Sequence, residues 1–171
     1  MSANLSNLSP PASSAKITTW ARDGAVLSAL RQAVFVGEQG VPAALEFDAL
    51  DAQPKRTAHA ILRDANDGAR GDANGNVIAT GRLVLTRDAF APSATPRIGR
   101  MAVVRSARGQ GAGAQVLHTL VAHAQRLGYA SVLLHAQAHA AGFYAAHGFV
   151  QVGEPFTEAG IVHIEMHKNL A

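Results

Sequence analysis

The period of the hydrophobic positions changes along the chain, and each change marks an element. Val116, Leu117, Leu120, Val121, Ala124 and Leu127 recur at helical spacing, while Gln115, His118, His123 and Gln125 take the opposite side. This predicts a long amphipathic helix that Gly128 stops. Just ahead of it, Ile98 to Val104 carries long apolar and β-branched residues without a breaker and reads as a strand. Val162, Ile164 and Met166 alternate with His163, Glu165 and His167, the period of a strand with two unlike faces. Further strands are expected at Ile17 to Trp20, Thr57 to Arg63, Asn76 to Leu85, Ala130 to Ala136 and Phe149 to Gly153. Asp23 stands as an N-cap before Val26, Leu27, Leu30, Ala33 and Val34, predicting a first helix that ends near Val36 and Gly37. His139 to Ala146 predicts a short last helix.

The order of these elements limits the architecture. Strand, helix and strand over 98–136 imply a parallel pair with a right-handed crossover. The runs 57–63 and 76–85, joined by a loop rich in Asp, Asn and Gly, imply an antiparallel hairpin. A second loop covers 87–96. No repeat or linker divides the chain. The expected fold is therefore α/β (α+β): one domain over 16–171 with a mixed, mostly antiparallel central sheet flanked by helices on both faces. Residues 1–15 read as a loose tail.

Composition narrows the function classes. A chain of 171 residues is long enough to bury one sizeable core, and 48% apolar with 16% charged residues is globular usage. With no cysteine there is no disulfide framework, thiolate metal site or cysteine nucleophile, which fits a reducing cytoplasm. No apolar run is long enough to cross a bilayer, and the first residues lack the basic and apolar regions of a signal peptide. The net charge is +3, yet Lys and Arg are scattered and aromatics are few, which argues against a nucleic-acid partner. A modest positive balance suits a polyanionic small ligand.

The strand at 98–104 leads through Arg108, Gly109, Gln110, Gly111, Ala112 and Gly113 into the long helix. The first turn of a helix leaves N–H groups unpaired, and glycines clear the approach of an anion to them. The spacing is neither that of a P-loop nor that of the dinucleotide fingerprint. R-x-x-G-x-G at Arg108, Gly111 and Gly113 resembles the pyrophosphate loop of the GNAT superfamily of N-acyltransferases, which use acetyl-CoA or another acyl-CoA. The resemblance implies coenzyme binding by residues 108–113. It also implies a bulged or splayed central strand whose amides at Met101, Ala102 and Val103 hold the pantetheine arm. F-Y-x-x-x-G-F at Phe143, Tyr144 and Phe149 looks like the family motif in which the tyrosine protonates the departing thiolate. Gln137 is the amide nearest the place where many relatives have Asn.

Between Phe35 and Asp48, three carboxylates, Glu38, Glu46 and Asp48, lie among apolar residues. Burying charge costs free energy without partners, so this segment reads either as one wall of a pocket or as a surface connector with a helical turn after Pro42. The phrase F-V-x-E-Q-x-V-P-x-x-x-E-x-D is similar to one in a bacterial GNAT subgroup, ElaA-like or YjcF-like. It implies that Glu38, Gln39, Glu46 and Asp48 face the acceptor, and the subgroup's tail implies the same of His163 and Glu165. The catalytic base is left open among Glu38, Glu46, Asp48, His163 and Glu165, with Tyr144 as acid.

His163 and His167 stand about 13 Å apart on a strand, too far to share an ion, and H-E-x-x-H is absent, so no metal is expected. The expected activity is transfer of acetyl from acetyl-CoA to a primary amine of a small molecule or peptide by direct attack. The carboxylate-rich wall suggests a cationic amine. The alternative is a regulatory module that binds acyl-CoA without turnover. Neither nucleic acid nor membrane is an expected partner, and a homodimer is left open.

Overall fold

Two breaker-poor runs close the first hairpin of the computed structural model, which describes residues 14–64, 76–85 and 95–170. The strands are β1 (Lys16–Thr18), β2 (Thr57–Arg63), β3 (Val77–Val84), β4 (Arg97–Val103), β5 (Ser131–Gln137), β6 (Val150–Gln151), β7 (Phe156–Glu158) and β8 (Ile161–Asn169). They form one sheet in the order β1-β2-β3-β4-β5-β8-β6, with β7 also on β8. Every pair is antiparallel except β4 with β5, which the crossover helix α3 (Ala112–Arg126) joins. The mixed, mostly antiparallel sheet is thus the one expected.

Helix α3 covers one face of the sheet. Val116, Leu117 and Leu120 are fully buried there against Leu62, Leu83 and Leu134, each contributing roughly 1.5–3 kcal/mol relative to exposure. A second, smaller core holds Leu30 of α1 (Trp20–Arg31) and Val34 against Ala102.

A bulge in β4 explains how one strand serves both cores. Thr80 faces Ala102 and Arg82 faces Gly99, so Gly81 stands opposite two residues, Arg100 and Met101. Arg100 takes a φ of 52°, a left-handed conformation that costs an L-residue free energy. The extra residue inverts the alternation of faces. Ile98, Met101 and Val103 pack with the α3 core, whereas Ala102 joins Leu30 and Val34. On its other side β4 pairs with β5 at Arg97–Leu133 and Ile98–Leu134, after which the two strands part. A wedge opens between them.

Several element boundaries differ from expectation. Trp20 begins α1 instead of ending a strand, and Thr19, not Asp23, is the N-cap. The Trp20 indole lies over Gly24, one helical turn on, where an added Cβ would come within 3.1 Å of the ring. Asp23 instead accepts hydrogen bonds from Thr18 Oγ1 and Arg63 Nη2. The expected stripe holds at Leu27, Leu30 and Val34, but Val26 is exposed, Ala33 faces solvent and Arg31 is buried.

After Arg31 the chain widens into a π-helix, Gln32–Glu38. A short helix, α2 (Ala43–Glu46), follows Pro42. The last helix, α4 (Ala141–Ala146), is preceded by a 3-10 turn at Ala138–Ala140. β7 was not anticipated; it turns into β8 through Ala159 (φ 50°) and Gly160 (φ 77°), a two-residue hairpin turn.

The expectations for residues 1–13 and for most of both long loops fall outside the described residues. Ala15, assigned to the tail, packs on the core, and its carbonyl accepts a hydrogen bond from Thr119 Oγ1.

Candidate functional site

The glycine turn is shaped by two left-handed residues. Gly109 has φ 74°, and Gly111, the N-cap of α3, has φ 81°. Both conformations favour glycine, and a Cβ at either position would meet nothing within 4 Å, so the outside of the turn is open. The first N–H groups of α3 receive no side-chain cap at Gly111 and face this space with the positive end of the helix dipole. Gly113 does different work: a Cβ there would touch Val103 at 3.5 Å and Phe143 at 3.6 Å, which fits the helix closely to β4 and α4. Ala112 is buried, and Gln110 donates to the Ser106 carbonyl within the turn.

Arg108 is fixed at the mouth of the turn. Its Nε donates to the Val103 carbonyl at 3.0 Å and its Nη2 to Glu38 Oε2 at 2.9 Å, while Arg105 reaches the same oxygen at 3.4 Å. The hydrogen bond from Arg108 holds the Glu38 carboxyl below the usual range. Glu38 therefore serves the glycine turn and does not line the cavity where the acceptor was expected.

That cavity, about 380 Å³, fills the wedge between β4 and β5. Met101, Gln137, Tyr144 and His163 line it together, with Phe35 and Gln39 from the π-helical segment opposite. Gln137 Nε2 donates to Gln39 Oε1 at 2.9 Å, tying that segment to β5. Ala102 and Val103 turn their side chains into the protein, so only their backbone can serve a ligand. Tyr144 is buried between Phe143 and Phe149, and burial pushes its phenol up to about 12. His163 Nδ1 donates to the Ile161 carbonyl at 2.8 Å. In the neutral ring this leaves Nε2 with its lone pair.

The carboxylates of the expected acidic wall are matched by arginines. Arg31, buried on the inner side of α1, donates to Glu46 at 2.5 Å and to Asp51 at 2.8 and 3.1 Å. Arg82 donates to Asp48 at 2.8 and 2.9 Å and to Asp51 at 2.8 Å. Arg100 sits 3.2 Å from Glu46 Oε2 and donates to the Leu45 and Glu46 carbonyls.

Three cations thus balance three anions, which removes the basis for a cationic acceptor. Burial raises the Glu46 carboxyl despite Arg31 and Arg100. It also works to raise Asp48 and Asp51, but hydrogen bonds and charge from Arg82 and Arg31 outweigh it and hold both below the usual range.

Glu165 lies behind the cavity wall. Its Oε1 accepts from His167 Nε2 at 2.8 Å and its Oε2 is 3.4 Å from His135 Nε2. The hydrogen bond from His167 lowers its carboxyl.

Arg82, Arg97 and Arg100 also line the cavity, and none of the three stands out in the sequence; His135 and His139, whose spacing invites only a metal reading that the strand-to-helix junction argues against, line it too. The available signal was weak: Arg82 and Arg100 are charges inside otherwise apolar strand runs. Among the described residues, no group of three His, Cys, Asp or Glu side chains is placed to hold a metal ion, and no helix is long and apolar enough to cross a membrane.

Splayed central strands, a bulge beside them and an open glycine turn at a helix start form a combination with known counterparts. The acetyltransferase (GNAT) domain family matches residues 49–170. The chain belongs to the GNAT family. Within it, Escherichia coli ElaA is 32% identical over 82% of this chain and 84% of its own length, and Bacillus subtilis N-acetyltransferase YjcF is 30% identical over 82% and 88%. The crystal structure of E. coli ElaA superposes with a TM-score of 0.75 over 91% of this GNAT protein and 99% of that chain, at 25% identity. An acyl-CoA N-acyltransferase from Pseudomonas aeruginosa does so with a TM-score of 0.73 over 91% and 99%, at 32% identity. The ElaA-like grouping drawn from the Phe35 to Asp48 phrase holds.

Proposed function

We propose that this GNAT protein transfers an acetyl group from acetyl-CoA to a primary amine by direct attack. The observation that carries the reading is one continuous arrangement: the open glycine turn at the start of α3 leads to a wedge lined by both Tyr144 and His163. The P. aeruginosa relative, an acyl-CoA N-acyltransferase, supports the donor class.

The geometry supports a role for each part. Amides at 109–113 and the α3 dipole hold the pyrophosphate, and Arg108, set by Glu38, adds charge at the entrance. Backbone at Met101 to Val103 lies along the wedge for the pantetheine arm, with the Gln137–Gln39 bridge across from it.

The amine nitrogen bonds to the thioester carbonyl carbon and the carbon–sulfur bond breaks. Tyr144, still protonated at neutral pH, gives its proton to the sulfur, and the proton on nitrogen leaves to His163 Nε2. The other base candidates are worse placed. Glu38 faces Arg108, Glu46 and Asp48 are bound by arginines, and Glu165 is lowered by His167 and lies behind His135. A chain without cysteine needs no covalent intermediate for this chemistry.

Calorimetric titration with acetyl-CoA, followed by a free-thiol release screen over amines, tests the proposal. Binding with release for one amine class is the expected result. Binding without release from any amine moves the protein to the alternative, a module that holds acyl-CoA without turnover. No binding overturns the reading of the glycine turn.

A further inference from the structure

We infer that the acceptor carries a carboxylate several bonds from its amine and that Arg97 reads it, an inference that rests on the acetyl-transfer reading above. It follows from the way charges are paired around the cavity. Glu46, Arg82 and Arg100 line it, but with Arg31, Asp48 and Asp51 they form a closed network of three cations and three anions. That network has no net charge to offer a ligand. Even so, it is short of acceptors: Arg82 Nε is enclosed with no hydrogen-bond partner among the described residues.

Outside the network the lining holds Arg97, Glu158 and the histidines 135, 139 and 163. Glu158 balances Arg97 in formal charge but does not pair with it: its carboxylate is half-exposed and is held instead by His135 Nδ1 at 3.3 Å. Arg97 has no carboxylate within 4 Å among the described residues, and it is half-buried at the start of β4. A cation held in a partly desolvated wall without an anion is the feature that a ligand carboxylate completes, and a guanidinium fits a carboxylate in two-pronged fashion.

The distances suit a small bifunctional acceptor. Arg97 is in register with Leu133 on β5, and His163 with Gln137, four residues further along the same strand. Those levels are about 13 Å apart along the strand, and the side chains close part of that span. An amine near His163 Nε2 and Tyr144 leaves a carboxylate on the Arg97 side. Lysine, acting through its side-chain amine, and other ω-amino acids, whose amine and carboxylate stand several bonds apart, have this layout; polyamines lack the anion and add a second cation that Arg97 repels.

The test is thiol release from acetyl-CoA with lysine and other free ω-amino acids, their carboxamides and spermidine, using the full chain and its Arg97→Gln and Arg97→Lys variants. The expected result is a preference for the carboxylate form over its amide of roughly ten- to a hundredfold in kcat/KM, the scale of one charge-assisted contact. That ratio falls towards one in Arg97→Gln and is largely kept in Arg97→Lys. Being internal to each variant, the ratio is unaffected by loss of folded protein.

Turnover of amides or spermidine at least as fast as of free amino acids overturns the inference and leaves the transferase reading intact. So does a carboxylate preference that Arg97→Gln does not change, which assigns the recognition elsewhere. Release from none of these amines but from another in the wider screen overturns the inference alone; release from no amine at all, with acetyl-CoA bound in calorimetry, removes the transferase reading and this inference with it.

Discussion

Arg31 and Asp51 form a two-pronged ion pair beneath the sheet, Nη1 to Oδ1 at 2.8 Å and Nη2 to Oδ2 at 3.1 Å, and both side chains are almost wholly buried. Asp51 Oδ1 also accepts from Arg82 Nη1 at 2.8 Å, so one carboxylate holds two buried guanidinium groups. Asp51→Asn leaves both short of charge. Breaking a buried pair from one side costs about 3–5 kcal/mol, and urea unfolding of the variant is expected to show a loss of that order. Asp48→Asn, at a half-exposed site, is expected to cost about 1 kcal/mol. Equal losses for the two would mean that burial does not govern the network.

The same network sets a pH dependence with two opposed signs. Asp48 and Asp51 have folded values below the ordinary carboxylate value of about 3.9. Their contribution to stability is complete above that value and is lost as pH falls through the depressed folded values. Glu46 is raised in the fold, so its contribution is present below its unfolded value and fades as pH rises through the folded one. Unfolding free energy measured across the acid range should therefore fall below about pH 4 with a slope that Asp51→Asn flattens. Glu46→Gln should remove the opposing slope at higher pH. An unaltered profile in Asp51→Asn would show that its folded and unfolded values do not differ.

Gly81 is fixed by the β4 bulge. A Cβ there would lie 2.6 Å from Met101 Sδ, 2.8 Å from Leu120 Cδ1 and 2.9 Å from Val116 Cγ1. Gly81→Ala must push Met101 and the α3 core apart, at a cost of about 1–3 kcal/mol. Because Met101 also lines the cavity, the displacement should weaken acetyl-CoA binding as well. A variant as stable as the parent, with unchanged affinity, would show that the bulge relaxes freely.

Periodic elements were legible in the sequence, and elements set by distant partners were not. The buried stripe of α3, Val116 to Ala124, has one partner surface and a clean helical period. β4 was readable as a strand and the family resemblance implied a bulge in it, but the place of that bulge depends on Gly81 from another strand. Trp20 has high strand propensity and is helical because its ring packs on Gly24 and against His59. β7 is three residues long and ends in Ala-Gly, which carries less hairpin signal than Asn-Gly.

Of the cavity-lining residues, Tyr144 and Gln137 came from motif and position, and His163 from the resemblance of the chain's tail to the subgroup's. The pairing of Glu46 and Asp51 with Arg31 spans 15 and 20 residues, and that of Arg82 with Asp48 spans 34. No local pattern records such pairings, so carboxylates that read as a free acidic wall proved to be neutralised.

Gly111 allows charge to be separated from shape. Asn and Asp are nearly isosteric and both enter the left-handed region more readily than other side chains. With φ 81° and open space beyond its Cα, position 111 should accept either with similar strain. Gly111→Asp sets a negative charge against the pyrophosphate and should weaken acetyl-CoA binding on the order of tenfold or more. Gly111→Asn should stay much closer to the parent in calorimetry. Equal affinities for Asp and Asn would move the pyrophosphate away from the α3 N-terminus.

Tyr144 makes a prediction about the alkaline side of the rate profile. Burial holds its phenol near 12, above the ordinary tyrosine value of about 10, so it stays protonated and able to donate throughout the accessible pH range. For a raised acid, the donor form persists below the folded value. The turnover rate should therefore show no decline around pH 10 from loss of the acid. Tyr144→Phe keeps the ring between Phe143 and Phe149 and removes only the hydroxyl. Its kcat should fall by about 10²- to 10⁴-fold while acetyl-CoA affinity changes little. If the variant turns over at the parent rate, the thiolate leaves unprotonated or takes its proton from water. If instead the parent rate declines around pH 10, either the Tyr144 hydroxyl is less shielded than its burial implies or another group is the donor, and a decline that persists in Tyr144→Phe assigns it to the other group.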